Sequence, residues 1–212
     1  MKQDTKHPPM RKEITLSDAI QQLRTDAAGK RKFTQSFDLI INLRNIDLKK
    51  PENKFAKDVI LPHARGKDVS VGILSENEGM SKAEIEAIAQ NKKQAKGLAK
   101  KYDYFLADPA LMPVVGKTLG RYLGPRGKMP KPLAPNMNKD VAIKNLQKTI
   151  RIQLRDSPTI QASIGTEQMD DKQITENAEM VVAEVKKALP GKAQVSTVLL
   201  KLTMSKPCKV KL

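Results

Sequence analysis

Apolar positions along this chain follow two periods, one helical and one alternating, which exchange places several times. Leu16, Ile20, Leu23 and Ala27 share one helical face, and Thr15 with Asp18 forms a capping-box-like start. A helix is therefore predicted there, stopped by Gly29. "SFDLIINLR" reads as a strand, and "KDVILPH" as a second that ends at Pro62. "DVSVGIL" is a buried-type strand. Ser81 and Glu84 then cap a helix, with Met80 placed to staple onto Ile85. A basic helix is predicted from about Asn91 to Lys101, then a strand in "DYFLAD", then a helix opened by Pro109 that contains "ALMPVVGKTLGRYL". A Gly/Pro-rich loop and a helix from Asn138 to about Ile150 follow. Beyond Ser157-Pro158, "TIQASIGTEQM" is strand-like and "TENAEMVVAEVKKALP" is helical, with Ala178, Val181, Val185 and Ala188 on one face. "VSTVLLKLTM" is a long strand and "CKVKL" a short final one.

The middle of the chain runs strand, helix, strand, helix, the order of a parallel α/β sheet. The opening helix and strands cannot make a useful sheet alone, and the closing strand–helix–strand section has the same problem. Pairing them gives a discontinuous first domain, 1–63 with 158–212, and an inserted second domain, 64–157. Proline restricts the residue before it to extended geometry, so Pro62 and Pro158 read as extended links between the two.

Composition narrows the partners. The 212 residues include 39% hydrophobic residues, enough for packed cores. The net charge is +16, and it is spread: residues 65–157 carry 18 Lys+Arg against 9 Asp+Glu, and the rest 21 against 14. This predicts a polyanionic partner, nucleic acid before membrane. No apolar run reaches the ~18 residues that span a bilayer. Residues 1–12 read as a loose basic arm without the apolar core of a secretory signal. The single cysteine, Cys208, rules out an internal disulfide and suits a reducing cytoplasm. His7 and His63 lack metal-ligand spacing, so no metal and no cofactor are expected.

"GKTLGRYLGPRGKMPKPLAP" carries the most chemistry. Its Gly116-Lys117-Thr118 resembles the end of a phosphate loop, but Leu111 stands where that loop needs glycine and the tripeptide falls inside a predicted helix. No Ser-His-Asp, Cys-His or paired-carboxylate arrangement emerges. The remaining nucleotide-enzyme alternative would require saturable ATP or GTP binding. The polyanion reading suits the stretch better. Lys117, Arg121, Arg126, Lys128 and Lys131 are set among glycines, which allow close backbone approach, and prolines, which stiffen the loop. Along "STVLLKLTMSK", Val198, Leu200 and Leu202 point one way and Thr197, Lys201 and Thr203 the other, a polar face suited to sugar hydroxyls and phosphates. Aromatics are only 3%, with no Trp, so stacking platforms for single strands are missing. An RNA partner would be read through shape, backbone and 2′-OH groups.

"KFTQSFDLIINL", "VILPH", "MPVVGKTLGRYLGPRGKMPKP" and "STVLLKLTMSKP", in this order along the chain, resemble the large-subunit ribosomal protein L-one family, the mobile-stalk protein beside the tRNA exit site. "FTQSFDLIINLRNIDLKKPENKF" is similar to its archaeal branch. The resemblance implies two α/β domains: a split, open-faced α/β sandwich with a Rossmann-like parallel α/β domain inserted into it. It also implies a non-enzymatic, cytoplasmic, ribosome-associated protein, monomeric when free and part of the 50S subunit. Its partners would be large-subunit rRNA, exit-site tRNA and its own mRNA, whose translation it would repress. By resemblance the principal RNA surface falls on Lys32, Phe33, Thr34, Thr197, Thr203 and Met204, with Ser36, Lys201 and Ser205 beside them. Lys117, Arg121, Arg126, Lys128 and Lys131 would be a secondary RNA or tRNA contact. Two positions depart from the family. Ser205 stands where glycine would permit positive φ and closer RNA approach, and Gln35 where an acid is frequent. A free-standing mRNA regulator is the other RNA-binding alternative, separable by co-sedimentation with large subunits.

Overall fold

A computed structural model describes residues 13–27, 32–75, 79–133 and 138–211. The basic arm of residues 1–12, the helix stop at Gly29 and the last two residues of the Gly/Pro-rich stretch lie outside them. The chain divides into two compact units, Met1–Lys67 with Lys148–Leu212, and Asp68–Gln147.

In the first unit, helix α1 (Leu16–Ala27) leads into strand β1 (Ser36–Arg44). Thr15 caps α1, its hydroxyl accepting from Asp18 N at 3.3 Å and donating to the Asp18 carboxylate at 2.6 Å. Strand β2 (Phe55–Ile60) follows. After the second unit come β6 (Thr149–Leu154), β7 (Thr159–Thr166), helix α7 (Asp171–Ala188), β8 (Gln194–Leu202) and β9 (Cys208–Val210). The main sheet has the order β7-β1-β8-β9, with antiparallel neighbours throughout. Phe37, Leu39, Ile41 and Leu43 of β1 and Val198, Leu200 and Leu202 of β8 alternate into one core with the apolar faces of α1 and α7.

Several boundaries differ from the sequence reading, and residues 64–67, expected in the inserted segment, belong to the first unit. Residues 148–157 were expected in the inserted segment, with helix continuing to about Ile150. The helix stops at Lys148, and β6 pairs antiparallel with β2, burying Ile150, Ile152 and Leu154 in the first core. Helix α7 also begins at Asp171, four residues before the expected Thr175.

The stretch leaving the first unit is pinned to it by α7. Asn177 is fully buried. Its Oδ1 accepts from His63 N at 3.1 Å, and its Nδ2 donates to His63 O at 3.2 Å and Ile164 O at 2.8 Å. Gly66 has φ +69, and a Cβ there would meet Thr166 Oγ1 at 2.6 Å. Gly66→Ala is therefore expected to lower stability by about 1–3 kcal/mol, from the left-handed backbone alone, with the clash added. A denaturant midpoint equal to wild type would remove that role.

The second unit holds a three-stranded parallel sheet, order β3-β4-β5, of β3 (Val71–Leu74), β4 (Tyr104–Ala107) and β5 (Lys131–Pro132). Its helices are α2 (Lys82–Gln90), α3 (Lys92–Lys101), α4 (Met112–Thr118), α5 (Gly120–Leu123) and α6 (Lys139–Lys148). Phe105 and Ala107 of β4 face one small core with α2 to α5, and Leu106 faces another with Leu133, Ala142 and Leu146. Ser81 and Glu84 form the expected capping box. The expected single helix after Pro109 is broken at Leu119 into α4 and α5.

Candidate nucleic-acid interface

At one end of the main sheet, the start of β1 meets the ends of β7 and β8. Thr203 closes β8 onto β1. Its backbone N donates to Ser36 O at 3.1 Å, and its hydroxyl accepts from Ser36 N at 3.1 Å. The next residues turn back sharply. Ser205 N donates to Leu202 O at 3.0 Å, and Ser205 Oγ accepts from Leu202 N at 2.8 Å. Among described residues, Asn45 is the one non-glycine with positive φ, so Ser205 keeps an ordinary backbone and stabilises the turn with its hydroxyl. The loss of backbone freedom expected from replacing glycine has no consequence for this turn.

Gln35 joins the three segments. Buried to 3% exposure, it accepts from Glu167 N through its backbone carbonyl at 3.0 Å and from Met204 N through Oε1 at 3.2 Å. Both functions need only acceptors, which glutamine supplies without burying a charge. Arg24 steadies the turn after β7, bonding Asp171 at 2.8 Å and the carbonyls of Glu167 and Met169, while stacking over Phe37. Gln168 Nε2 in that turn lies 3.4 Å from Thr34 Oγ1. Sequence reasoning treated Gln35 only as a departure and missed Arg24 and Gln168. All three act through residues more than 130 positions away, which local pattern does not reveal.

On this frame stand two large apolar side chains, Phe33 at 51% and Met204 at 57% exposure. Lys32, Thr34 and Thr203 are exposed around them, and Ser36 and Ser205 half-exposed. The structure thus brings together Phe33, Thr34, Ser36, Thr203, Met204 and Ser205. It separates Thr197 from Thr203 by six steps along the chain, about 20 Å of extended backbone. Thr197 sits on the open sheet face, where its hydroxyl accepts from Asn42 Nδ2 at 2.8 Å, and Thr159 donates to the same amide. Lys201 lies on that face too, directly opposite Asp38 across the β1–β8 ladder. Partial burial raises the Asp38 carboxyl above its usual range, against the pull of Lys201.

The basic set in the second unit is divided as well. Gly116, Lys117 and Thr118 lie within α4, and the Thr118 hydroxyl donates to Val114 O at 2.8 Å, as an ordinary helical threonine does. Lys117 and Arg121 line a shallow cleft of about 430 Å³ with Glu86, Ala89 and Gln90. The Arg121 guanidinium also stacks on Tyr122 at 4.8 Å. Lys128 is turned inward, its Nζ donating to Tyr102 O at 2.7 Å and lying 3.6 Å from Asp103. Lys131 Nζ sits over the Tyr104 ring at 5.6 Å, while Arg126 is exposed in the turn after α5. Packing within the unit therefore engages Lys128 in a way its charge did not foretell.

Among described residues no group of three His, Cys, Asp or Glu side chains could hold a metal ion, and no helix is long and apolar enough to cross a membrane.

Comparison with known proteins places this geometry. A profile described as the Ribosomal protein L1p/L10e family matches residues 23–206. The protein named Large ribosomal subunit protein uL1 from Pyrococcus abyssi is 44% identical over 207 residues, 92% of this chain and 94% of that one. Proteins of the same name from Pyrococcus horikoshii and Thermofilum pendens are 43% and 42% identical, with 91% and 92% of this chain covered and 94% and 92% of theirs. The matched span takes in the last residues of α1, strands β1, β7 and β8 of the main sheet, the second unit and the 202–205 turn, and on these grounds the chain belongs to the ribosomal protein L1p/L10e family.

Proposed function

We propose that this protein is a structural component of the large ribosomal subunit, working in the cytoplasm, that holds folded large-subunit rRNA at the mobile stalk. The observation that carries the reading is the end of the main sheet. There Phe33 and Met204 project from a hydrogen-bonded frame among the hydroxyls of Thr34, Thr203 and Ser205. The apolar pair would pack on exposed bases or riboses, and the hydroxyls would meet 2′-OH and phosphate groups. Such a surface reads the shape of a folded RNA, not a base sequence in a helix.

On this reading the discontinuous first unit is the RNA-binding domain and the second unit is a secondary contact, through Lys117, Arg121 and Arg126, for rRNA or the departing exit-site tRNA. The protein would assist release of deacylated tRNA. It would also repress its own translation by binding an mRNA structure that mimics the rRNA site. Outside the ribosome it would be a monomer, and it would carry out no catalysis.

Filter-binding titrations test the reading, using a stalk-type rRNA fragment and a scrambled RNA of equal length at several salt concentrations. A preference for the folded fragment that survives high salt is expected. Equal affinities that collapse together would reduce the protein to a non-specific polycation. Thr203→Ala should weaken the folded complex by about 1–3 kcal/mol, since it removes a hydroxyl at the interface and loosens the join to Ser36. An unchanged Kd at fixed salt would rule Thr203 out.

A further inference from the structure

Helix α3 is built in a way that is poor for a helix and good for a polyanion. Its sequence, KKQAKGLAKK, contains five lysines and no acid. Ala95 and Ala99 are buried and Leu98 half-buried in the second unit's core, so one face is fixed inward. Lys92, Lys93, Lys96 and Lys100 are exposed on the other side. Lys92 and Lys93 occupy the first turn, where the helix dipole disfavours cations. Lys92, Lys96 and Lys100 follow one another at the four-residue spacing at which like charges repel. Among described residues none of these four forms an ion pair. Gly97, among the poorest residues for a helix interior, stands between them, with open space where a Cβ would be.

Each feature weakens the helix in isolation. Together they make a cationic row about 12 Å long with a flat centre. The row adjoins the Lys117–Arg121 cleft. Gln90 in its wall is separated from Lys92 only by Asn91, which caps α3 through Lys93 N and Gln94 N.

We propose that the exposed face of α3 docks the phosphodiester backbone of RNA, with Lys92, Lys96 and Lys100 each neutralising a phosphate and Gly97 letting the strand lie close to the helix. The proposal extends the RNA-binding reading to a surface that has no part in recognising the folded target. An anionic membrane fits less well, because the apolar face is already buried and the exposed face has no side chain to insert.

The test uses the full chain and a short mixed-sequence RNA duplex that lacks any stalk fold. The triple variant Lys92→Gln, Lys96→Gln, Lys100→Gln should bind this duplex about tenfold or more weakly, and its plot of log affinity against log salt should be shallower by about two to three units. The corresponding triple arginine variant should keep the wild-type slope. Far-UV circular dichroism of the glutamine variant should match wild type, since no packed group is lost. Phe33→Ala with Met204→Ala should leave duplex binding intact, so failure of folded-RNA recognition and failure of this proposal are read separately. Equal affinity and slope for the glutamine variant and wild type would overturn the proposal. So would a loss confined to phosphatidylserine vesicles.

Discussion

Asn177→Ala is expected to be the most damaging single change, lowering stability by about 3–5 kcal/mol. The side chain is fully buried and serves three backbone groups: His63 N, His63 O and Ile164 O. Alanine would strand the buried Ile164 O and unpair both backbone groups of half-buried His63, and a buried unpaired polar group costs about 1–3 kcal/mol. Asn177→Asp should be no milder. It keeps the acceptor for His63 N but places a carboxyl beside two carbonyl oxygens, and burial would force it to stay protonated. Urea unfolding, followed with amide exchange at His63, checks both. A loss below about 1 kcal/mol for alanine would mean that water replaces the amide there.

The largest effect on binding is expected for Phe33→Ala combined with Met204→Ala. Stacking of a base on an aromatic ring contributes about 1–3 kcal/mol. With the methionine contact added, the folded-RNA complex should weaken by about 2–4 kcal/mol, roughly 30- to 700-fold. Neither residue is charged, so the salt slope should not change. Neither is buried, so thermal stability should not change either. An affinity loss accompanied by a shallower slope would mean that the variant had disturbed nearby cations and that the apolar pair is not the reading element.

Much of the architecture was legible because local pattern and tertiary role agree. In β1 every second residue of SFDLIINLR is buried, as the alternation predicts. Ser81 and Glu84 cap α2 through contacts three residues apart. The reading failed where two periods fit one residue. Ile150 continues the helical face of Ala142 and Leu146, yet it also alternates with Ile152 and Leu154. Pairing with β2 selected the strand, a non-local choice that the window around Ile150 does not contain.

The site was legible only in part. Phe33, Thr203 and Met204 came from motif resemblance, and all three are exposed on one frame. Lys128 shows the limit of charge counting, since a lysine in a basic loop can still point at a carbonyl. Thr197 shows the limit of strand parity. It shares a face with Thr203 but sits too far along β8 to share its end.

The main sheet takes β1 from before the second unit and β7, β8 and β9 from after it. The bond between Ser36 and Thr203 spans 167 residues of sequence. During synthesis, residues 68–147 can complete their own contacts early, whereas β1 must wait, unpaired, until most of the chain has been made. The frame carrying Phe33 and Met204 is thus among the last parts to assemble. A nascent chain would acquire the candidate surface only once β8 and the turn after it have been made, so on the proposed reading binding of the folded RNA would report a first unit that has closed.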